Sequence, residues 1–482
     1  MMGNRSGRAV GWRSAVVVIG VVMSASVLSV APAGAVHGAV PGDFNGDGYR
    51  DVVLPAPGAN VSGKEGAGAV VVLYGSKGGV SSASKRQTLT QNSSGVPGTA
   101  ETGDGFGWAT ATADLNHDGY ADLLVGSPYE DTSGGTDAGS VTVLWGSKSG
   151  LTTATLLSKP AGLDGSVEKD RYGSDIAALS NGAGVKTRVA IASVQGTVLV
   201  SGPFSHTGTH GVVAYENRTA SVISVDLGDF NRDGVPDPVI DTDRLSDLSG
   251  GEIYLNTGTT YLLTHANGLD SATGDVNGDG YTDLVVGDPD DPYTPGVDGA
   301  VGGRILVWYG SKSGIASGAE PVELTQNTAG VPGSSASNDG FGGSLTVGDL
   351  NGDGAADIVV GTPLETSNSR AGVVTVIPGR RTGALGTGSY SFTQNTAGVP
   401  GTSEIDDMFG TTVAIGDVNG DGRPELLVSA ASENDFTGAV WVFPGTTSGP
   451  TASGSRMFTA SSVGLTQLSG TVLGGYGLLM LI

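Results

Sequence analysis

The chain has 482 residues, a formal net charge of -24, 83 Gly and no Cys. A chain this acidic repels nucleic acid, whose partners neutralise phosphates with Lys and Arg, and favours divalent cations instead. Without Cys neither disulfides nor a thiolate metal site can hold it, and a single core rarely grows past about 250–300 residues, so several domains or a repeat array is expected.

Residues 1–35 read as a secretory leader. Arg5, Arg8 and Arg13 precede the mostly apolar stretch Ala15–Val30, and Ala33-Gly34-Ala35 fits a small-residue cleavage site. The apolar run is short for an anchor and contains Ser24, Ser26 and Ser29. Residues 36–482 are therefore expected outside the cell, secreted or wall-associated, with no transmembrane span.

At Asp43 the chain reads DFNGDGYRD and then turns apolar. The pattern D-x-N-x-D-G-x-x-[DE] returns from Asp114, Asp229, Asp275, Asp349 and Asp417, and such recurrence marks a repeat architecture. The wide gap between the second and third copies hides another unit. Tyr172–Ser193 aligns with Phe106–Ser127 once its acidic loop is taken as lost, with only Ser180 and Asn181 near the required place. This third of seven units, about 172–226, is expected to hold no ion.

Each well-preserved unit repeats one order of parts. An alternating segment such as Phe341–Val347 precedes the acidic loop, and an apolar run such as Ile358–Val360 follows it. A loop leads to a second apolar run, as in Val141–Trp145 or Arg304–Tyr309, and then to a segment containing LTQN at Leu89 and Leu324 or FTQN at Phe392. Period-two patterning between Gly-rich turns predicts four antiparallel strands. Four strands repeated seven times predict an all-β, seven-bladed β-propeller rather than a row of sandwiches, for which the units are too short. Little chain precedes Asp43 to open the first blade once the leader is removed. The tail segment 462–469 (SVGLTQLS) is therefore expected to complete that blade and close the ring, with Leu478–Ile482 packed nearby.

Positions one, three, five and nine of the acidic loop carry oxygen-bearing side chains, and position seven offers its carbonyl. Gly at position six permits the sharp reversal. Hard oxygen donors in a flexible turn suit calcium, which takes six to eight of them. The candidate ligands are Asp43, Asn45, Asp47, Tyr49 and Asp51; Asp114, Asn116, Asp118, Tyr120 and Asp122; and Asp229, Asn231, Asp233, Val235 and Asp237. The later copies add Asp275, Asn277, Asp279, Tyr281 and Asp283; Asp349, Asn351, Asp353, Ala355 and Asp357; and Asp417, Asn419, Asp421, Arg423 and Glu425. About six structural calcium ions follow. An EF-hand begins the same way but requires Glu at position twelve and flanking helices; here position twelve is apolar, as at Leu54 and Val125. Asp, Asn and Gly also make ordinary hairpin turns, but a turn alone is expected to have no use for a carboxylate at position nine.

The Phe-Gly openers at Phe106, Phe341 and Phe409, the acidic loops, and the Gly-x-Pro closures at Gly126, Gly287 and Gly361 resemble FG-GAP repeats. Such repeats build the seven-bladed propeller at the head of integrin alpha subunits. The resemblance covers nearly all of 36–482, although units three, four and five lack the full opener. It implies a secreted, bacterial-type protein with calcium in the lower-face hairpin loops and a protein or carbohydrate ligand on the upper face. Topology places Tyr129, Glu130, Asp131, Tyr293 and Phe436 among the upper loops as ligand-binding candidates. A monomer is the default expectation.

FG-GAP repeats also accompany hydrolases, including a phospholipase with a separate zinc domain. With 36–482 expected to be taken up by the seven units, no segment is expected to be left over for such a domain. Of His37, His117, His206, His210 and His265, only His206 and His210 are closely spaced, and they lack an HExxH pattern, so they read as loop residues. No G-x-S-x-G elbow stands out. A non-catalytic binding protein is expected, with a secreted phosphodiester, ester or glycoside hydrolase as the alternative.

Overall fold

The computed structural model describes residues 40–159, 168–244, 249–264, 266–293, 296–466 and 469–480. The expected leader, His37, His265, Leu481 and Ile482 lie outside them. Among the described residues, strands pair only with their neighbours in sequence, giving seven four-stranded antiparallel sheets. These blades run over 40–89, 110–156, 176–217, 222–262, 270–324, 344–392 and 409–459. The chain is an all-β, seven-bladed propeller. No described helix is long and apolar enough to cross a membrane.

The first strands of successive blades touch one another around the ring, and the first strand of blade one also meets that of blade seven. Second and third strands are buried along their length, as in Asp51–Ala56 and Ala69–Leu73, whereas the fourth strand Arg86–Leu89 is largely exposed. A middle strand is covered on both faces by the adjacent blades, so its sequence is a continuous apolar run rather than an alternation. Each seam has its own apolar core. Val53, Val70 and Phe106 fill the seam between blades one and two, while Val359, Phe409, Trp441 and Phe443 fill that between six and seven.

The repeat motif is the mark of these seams. Phe341 is fully buried, and Gly342 adopts φ +97, a left-handed conformation that favours glycine. The Gly of each Gly-x-Pro closure faces backbone of the next blade: a Cβ at Gly361 would stand 2.1 Å from the Gly410 carbonyl oxygen, and one at Gly126 2.1 Å from that of Gly173. Glycine is thus required where neighbouring backbones touch.

Closure differs from the sequence expectation. Val40–Gly42 opens blade one, pairing Val40 with Val53 and Gly42 with Asp51, so three residues ahead of the acidic loop are enough. The tail crosses the seam between blades one and seven as an irregular segment. Gly474 N donates to the Pro55 carbonyl (2.8 Å) and Leu473 N to that of Thr437 (3.0 Å), while Val463 and Leu473 enter the seam's core. Leu478 is buried as anticipated. The LTQN motifs begin where the fourth strand ends, at Leu89, Leu324 and Phe392.

Gly361→Ala is expected to destabilise the protein by about 1–3 kcal/mol through overpacking. Gly318, with open space around its Cα, supplies the control Gly318→Ala, which should leave urea-unfolding midpoints within error. Equal midpoints for the two variants would contradict the seam assignment.

Candidate metal centres and upper-face loops

Each acidic loop joins the first strand of a blade to the second, which places all six at one end of the antiparallel sheets. Their hydrogen bonding repeats almost atom for atom. In blade one the Asp43 carboxylate accepts from Asp47 N (3.1 Å) and Gly48 N (2.9 Å), Asn45 Oδ1 accepts from Asp47 N (2.9 Å), and Asp47 Oδ1 accepts from Tyr49 N (3.1 Å). The same bonds recur around Asp114, Asp229, Asp275, Asp349 and Asp417. Short polar side chains thereby satisfy the donors of a tightly wound backbone.

The ninth-position carboxylate has a structural task that sequence reasoning missed. Asp51 is fully buried and accepts from Phe44 N (3.0 Å) at the loop's start and from Gly75 N (2.9 Å) after the third strand. Asp122 clamps Leu115 N and Gly146 N, Asp283 clamps Val276 N and Gly310 N, and Asp357 clamps Leu350 N and Gly379 N. Glu425 reaches Val418 N at 2.9 Å and Gly445 N only at 3.5 Å, its extra methylene having shifted the grip. Persistence of this residue therefore does not by itself demand an ion, contrary to the sequence expectation.

Burial of these carboxylates is costly all the same. Desolvation, opposed by the backbone donors and reinforced by the other loop carboxylates, raises Asp51, Asp283, Asp357 and Glu425 to about 7 and Asp122 to about 8. Burial also raises Asp237 to about 7, with Arg188 offsetting part of the effect. Among the described residues no three His, Asp or Glu side chains are gathered closely enough to grip a metal as they stand. The donor set nonetheless fits calcium. All its side-chain donors are hard oxygens, and an oxygen that accepts one N–H retains a second lone pair. Tyr49 and its counterparts at position seven add a carbonyl.

Blade three lacks this loop. Thr187 begins its second strand, and its Oγ1 lies 3.0 Å from Ser180 Oγ and 2.9 Å from His117 Nε2 of the neighbouring loop.

The opposite, upper end carries the five ligand candidates. Tyr129 packs edge-on against Trp108 at 5.1 Å, with the Arg171 guanidinium 5.1 Å from its ring centre, and Trp108 also meets Tyr476 of the tail. Tyr129 and Asp131 line a cavity of about 430 Å³ with Glu101, Asp104 and Asp137. Tyr293, 76% exposed, lines another of about 410 Å³ with Arg244, Asp290 and Asn338. Phe436 is exposed at φ +57 after Asn434 and Asp435, both also left-handed. Glu130 is engaged in holding Gln91 of the TQN turn, as Glu365 holds Gln326 (2.6 Å) and Glu433 holds Gln394 (2.7 Å). That recurrence makes Glu130 part of the blade-to-blade framework.

Two further features carry no motif. Asp226 and Asp270 on the first strands of blades four and five, and Asp241 on the second strand of blade four, are buried, which pushes Asp241 up to about 7 and the other two well above the usual carboxylate range. His206 reaches out of blade three to the acidic loop of blade two, with Nε2 3.0 Å from Asn116 Nδ2.

Five stretches match the FG-GAP repeat family, at 35–73, 106–144, 267–308, 341–377 and 409–443; they correspond to blades one, two, five, six and seven. The chain is 32% identical over 125 residues to integrin alpha-4 of Xenopus laevis, covering 26% of this chain and 11% of that protein. It is similar to phosphatidylinositol-glycan-specific phospholipase D of Dictyostelium discoideum, 25% identical over 423 residues, which is 80% of this chain and 40% of that protein. The Bos taurus protein of the same name is 27% identical over 228 residues, covering 43% and 21%. The chain thus spans less than half the length of each of these relatives.

A carboxyl whose folded-state pKa stands near 7–8, against about 4 when unfolded, holds its proton more tightly in the folded state. Its stabilising contribution is complete below about pH 4 and is lost as pH rises through about 8. The unfolding free energy of chelator-treated protein should therefore fall between about pH 4.5 and 8, and Asp122→Asn should make that fall shallower. A flat or rising profile for the unsubstituted protein would contradict the charge burial described here.

Proposed function

The chain carries five FG-GAP repeats and is homologous to the N-terminal region of integrin alpha subunits, and from that premise we propose that it is a calcium-stabilised propeller. It binds a protein or glycan outside the cell through its upper-face loops. The observation that carries the calcium reading is the six-fold recurrence of one wound loop, with half-buried oxygen-bearing side chains at positions one and three and an exposed one at position five beside a buried carboxylate at position nine. The resemblance of these loops to FG-GAP repeats, which implies calcium in the lower-face hairpins, supports the same reading. Bound calcium supplies positive charge where carboxylates otherwise repel, and Asp43, Asn45, Asp47 and Asp51, with the Tyr49 carbonyl, are the groups that would hold it in blade one.

The upper face is the binding surface in this reading. Its two cavities each combine a half-buried or exposed aromatic ring with carboxylates, and one adds the Asn338 amide, the chemistry that orients a polar ligand. A second reading, a hydrolase, draws on the similarity to the phosphatidylinositol-glycan-specific phospholipases D, which reaches 80% of this chain. The two readings divide on turnover.

At tenfold excess over its dissociation constant, each calcium site adds about 1.4 kcal/mol by linkage. Asp275→Ala should lower the number of calcium ions bound by one and the calcium-dependent stability by about that amount; an unchanged calcium response would remove this loop from the sites. Joint replacement of Tyr129 and Tyr293 by Ala should abolish capture on protein and glycan arrays while leaving the calcium response intact. Turnover of phosphodiester, ester or glycoside substrates that disappears in that variant would instead establish the hydrolase.

A further inference from the structure

A cavity of about 680 Å³ opens on the lower face at the seam between blades one and two, larger than either upper-face cavity described above. Its walls come from both blades. Asn45 and Asp47 of the first acidic loop, Tyr74 after the third strand and Lys85 before the fourth face Tyr120 and Lys148 of blade two. Both rings are held in place. Tyr74 is buried, its hydroxyl donates to Gln87 Oε1 (2.8 Å), and Gln87 Nε2 donates to the Leu151 carbonyl of blade two (2.6 Å). Tyr120 lies on Gly46, where a Cβ would stand 2.6 Å from Tyr120 Cε1.

Donors outnumber acceptors around this cavity. Lys85 Nζ sits 4.2 Å from the centre of the Tyr74 ring, and neither it nor Lys148 has a carboxylate partner among the described residues. Asn45 Nδ2 makes no hydrogen bond among them, whereas the position-three amide of each other loop donates to a carboxylate of that loop, as Asn116 does to Asp118 (3.0 Å) and Asn351 to Asp357 (3.4 Å). Lys148 belongs to the GSK turn that blades one and five repeat at Lys77 and Lys312, so by itself it reads as an offset to the acidic loop beside it. Lys85 has no such counterpart. Four residues before the Leu or Phe of the TQN motif, blade five has Glu320 and blade six has Gly388. The free amide and the additional ammonium are both departures from the repeat, and they meet at one cavity.

We propose that this cavity binds a sugar bearing one acidic group, a carboxylate or a phosphate, held by Lys85, Lys148 and Asn45 Nδ2. Ammonium donors make the stronger, charge-assisted hydrogen bonds to such a group. The Asp47 carboxylate, an acceptor only, takes the sugar hydroxyls, and the Tyr120 ring gives a flat apolar wall for the face of the sugar ring. Two ammoniums against one carboxylate leave a single net positive charge, which attracts one anionic group and does not offset a polyanion in a chain of net charge -24. The site lies on the face opposite the upper loops and does not depend on their role in binding.

The test uses the full chain and saturation-transfer NMR, with glucuronate, glucose 1-phosphate and glucose as probes. At least one of the two acidic sugars should bind and glucose should not; the tighter of the two identifies the acidic group as carboxylate or phosphate. Lys85→Ala should weaken that probe by at least about tenfold, the worth of one hydrogen bond to a charged group, while melting like the unsubstituted protein because Lys85 is exposed. Lys85→Arg, which keeps the charge, should restore most of the binding, and Lys77→Ala, outside the cavity, should leave it unchanged. Absence of binding by both acidic sugars, glucose binding as tightly as they do, or equal binding with and without Lys85 overturns the proposal. The joint Tyr129→Ala and Tyr293→Ala variant should bind the acidic sugar normally; loss of binding there would place the ligand on the upper face and overturn the proposal as well.

Discussion

The buried carboxylate at the second strand's first residue is the contact on which the lower half of five of the acidic blades depends, blade four being the exception, where Asp237 Oδ2 has no hydrogen-bond partner among the described residues. Asp51 joins the start of its own loop, through Phe44 N, to the turn after the third strand, through Gly75 N. One side chain thus ties three pieces of backbone that would otherwise end in unsatisfied donors. The arrangement places negative charge at the least hydrated point of a loop that already carries two more Asp residues. Stability and charge are in conflict there, and the divalent ion proposed for the loop would resolve the conflict without loosening the clamp.

The upper half is organised by a different contact. Phe-Gly at a blade's opening, Gly-x-Pro at the preceding blade's second strand and the Gln-to-Glu bond between TQN and the next upper loop all act at seams. Glycine is needed because adjacent backbones approach too closely for any Cβ. Gln91, Gln326 and Gln394 each reach a Glu in the following blade. Repetition of such contacts lets a chain with no Cys close a seven-part ring, each part stabilised chiefly by its two neighbours. The tail contributes Leu473 and Val463 to the last seam instead of supplying a strand.

Much of this was legible because it recurs. Blade number and strand order follow from six acidic loops and one eroded unit. Buried middle strands follow from apolar runs such as DLLVGS at Asp122–Ser127, which the structure buries throughout. What recurs imperfectly was harder to read. The opening strand Val40–Gly42 is three residues long and offers no periodicity to detect. Glu130 looked like a free upper-loop acid; its role becomes visible only when the equal spacing from Gln to Glu in three blades is noticed. His206 has no counterpart in another blade, and its neighbours Asn116 and Asp118 are remote in sequence, so only the fold brings them together. The buried strand acids Asp226, Asp241 and Asp270 were passed over because none of them occupies a motif position.

Six acidic loops that are cation sites, rather than well-capped turns, must take up ions and gain stability from them. Native mass spectrometry of the chelator-stripped protein, re-equilibrated with millimolar calcium and followed by a melting curve on the same sample, tests it most directly. About six added calcium ions are expected, together with a clear rise in melting temperature. A protein that takes up no ions and melts at the same temperature with and without calcium would contradict it, leaving six hairpins, five of them carboxylate-clamped, that need no metal.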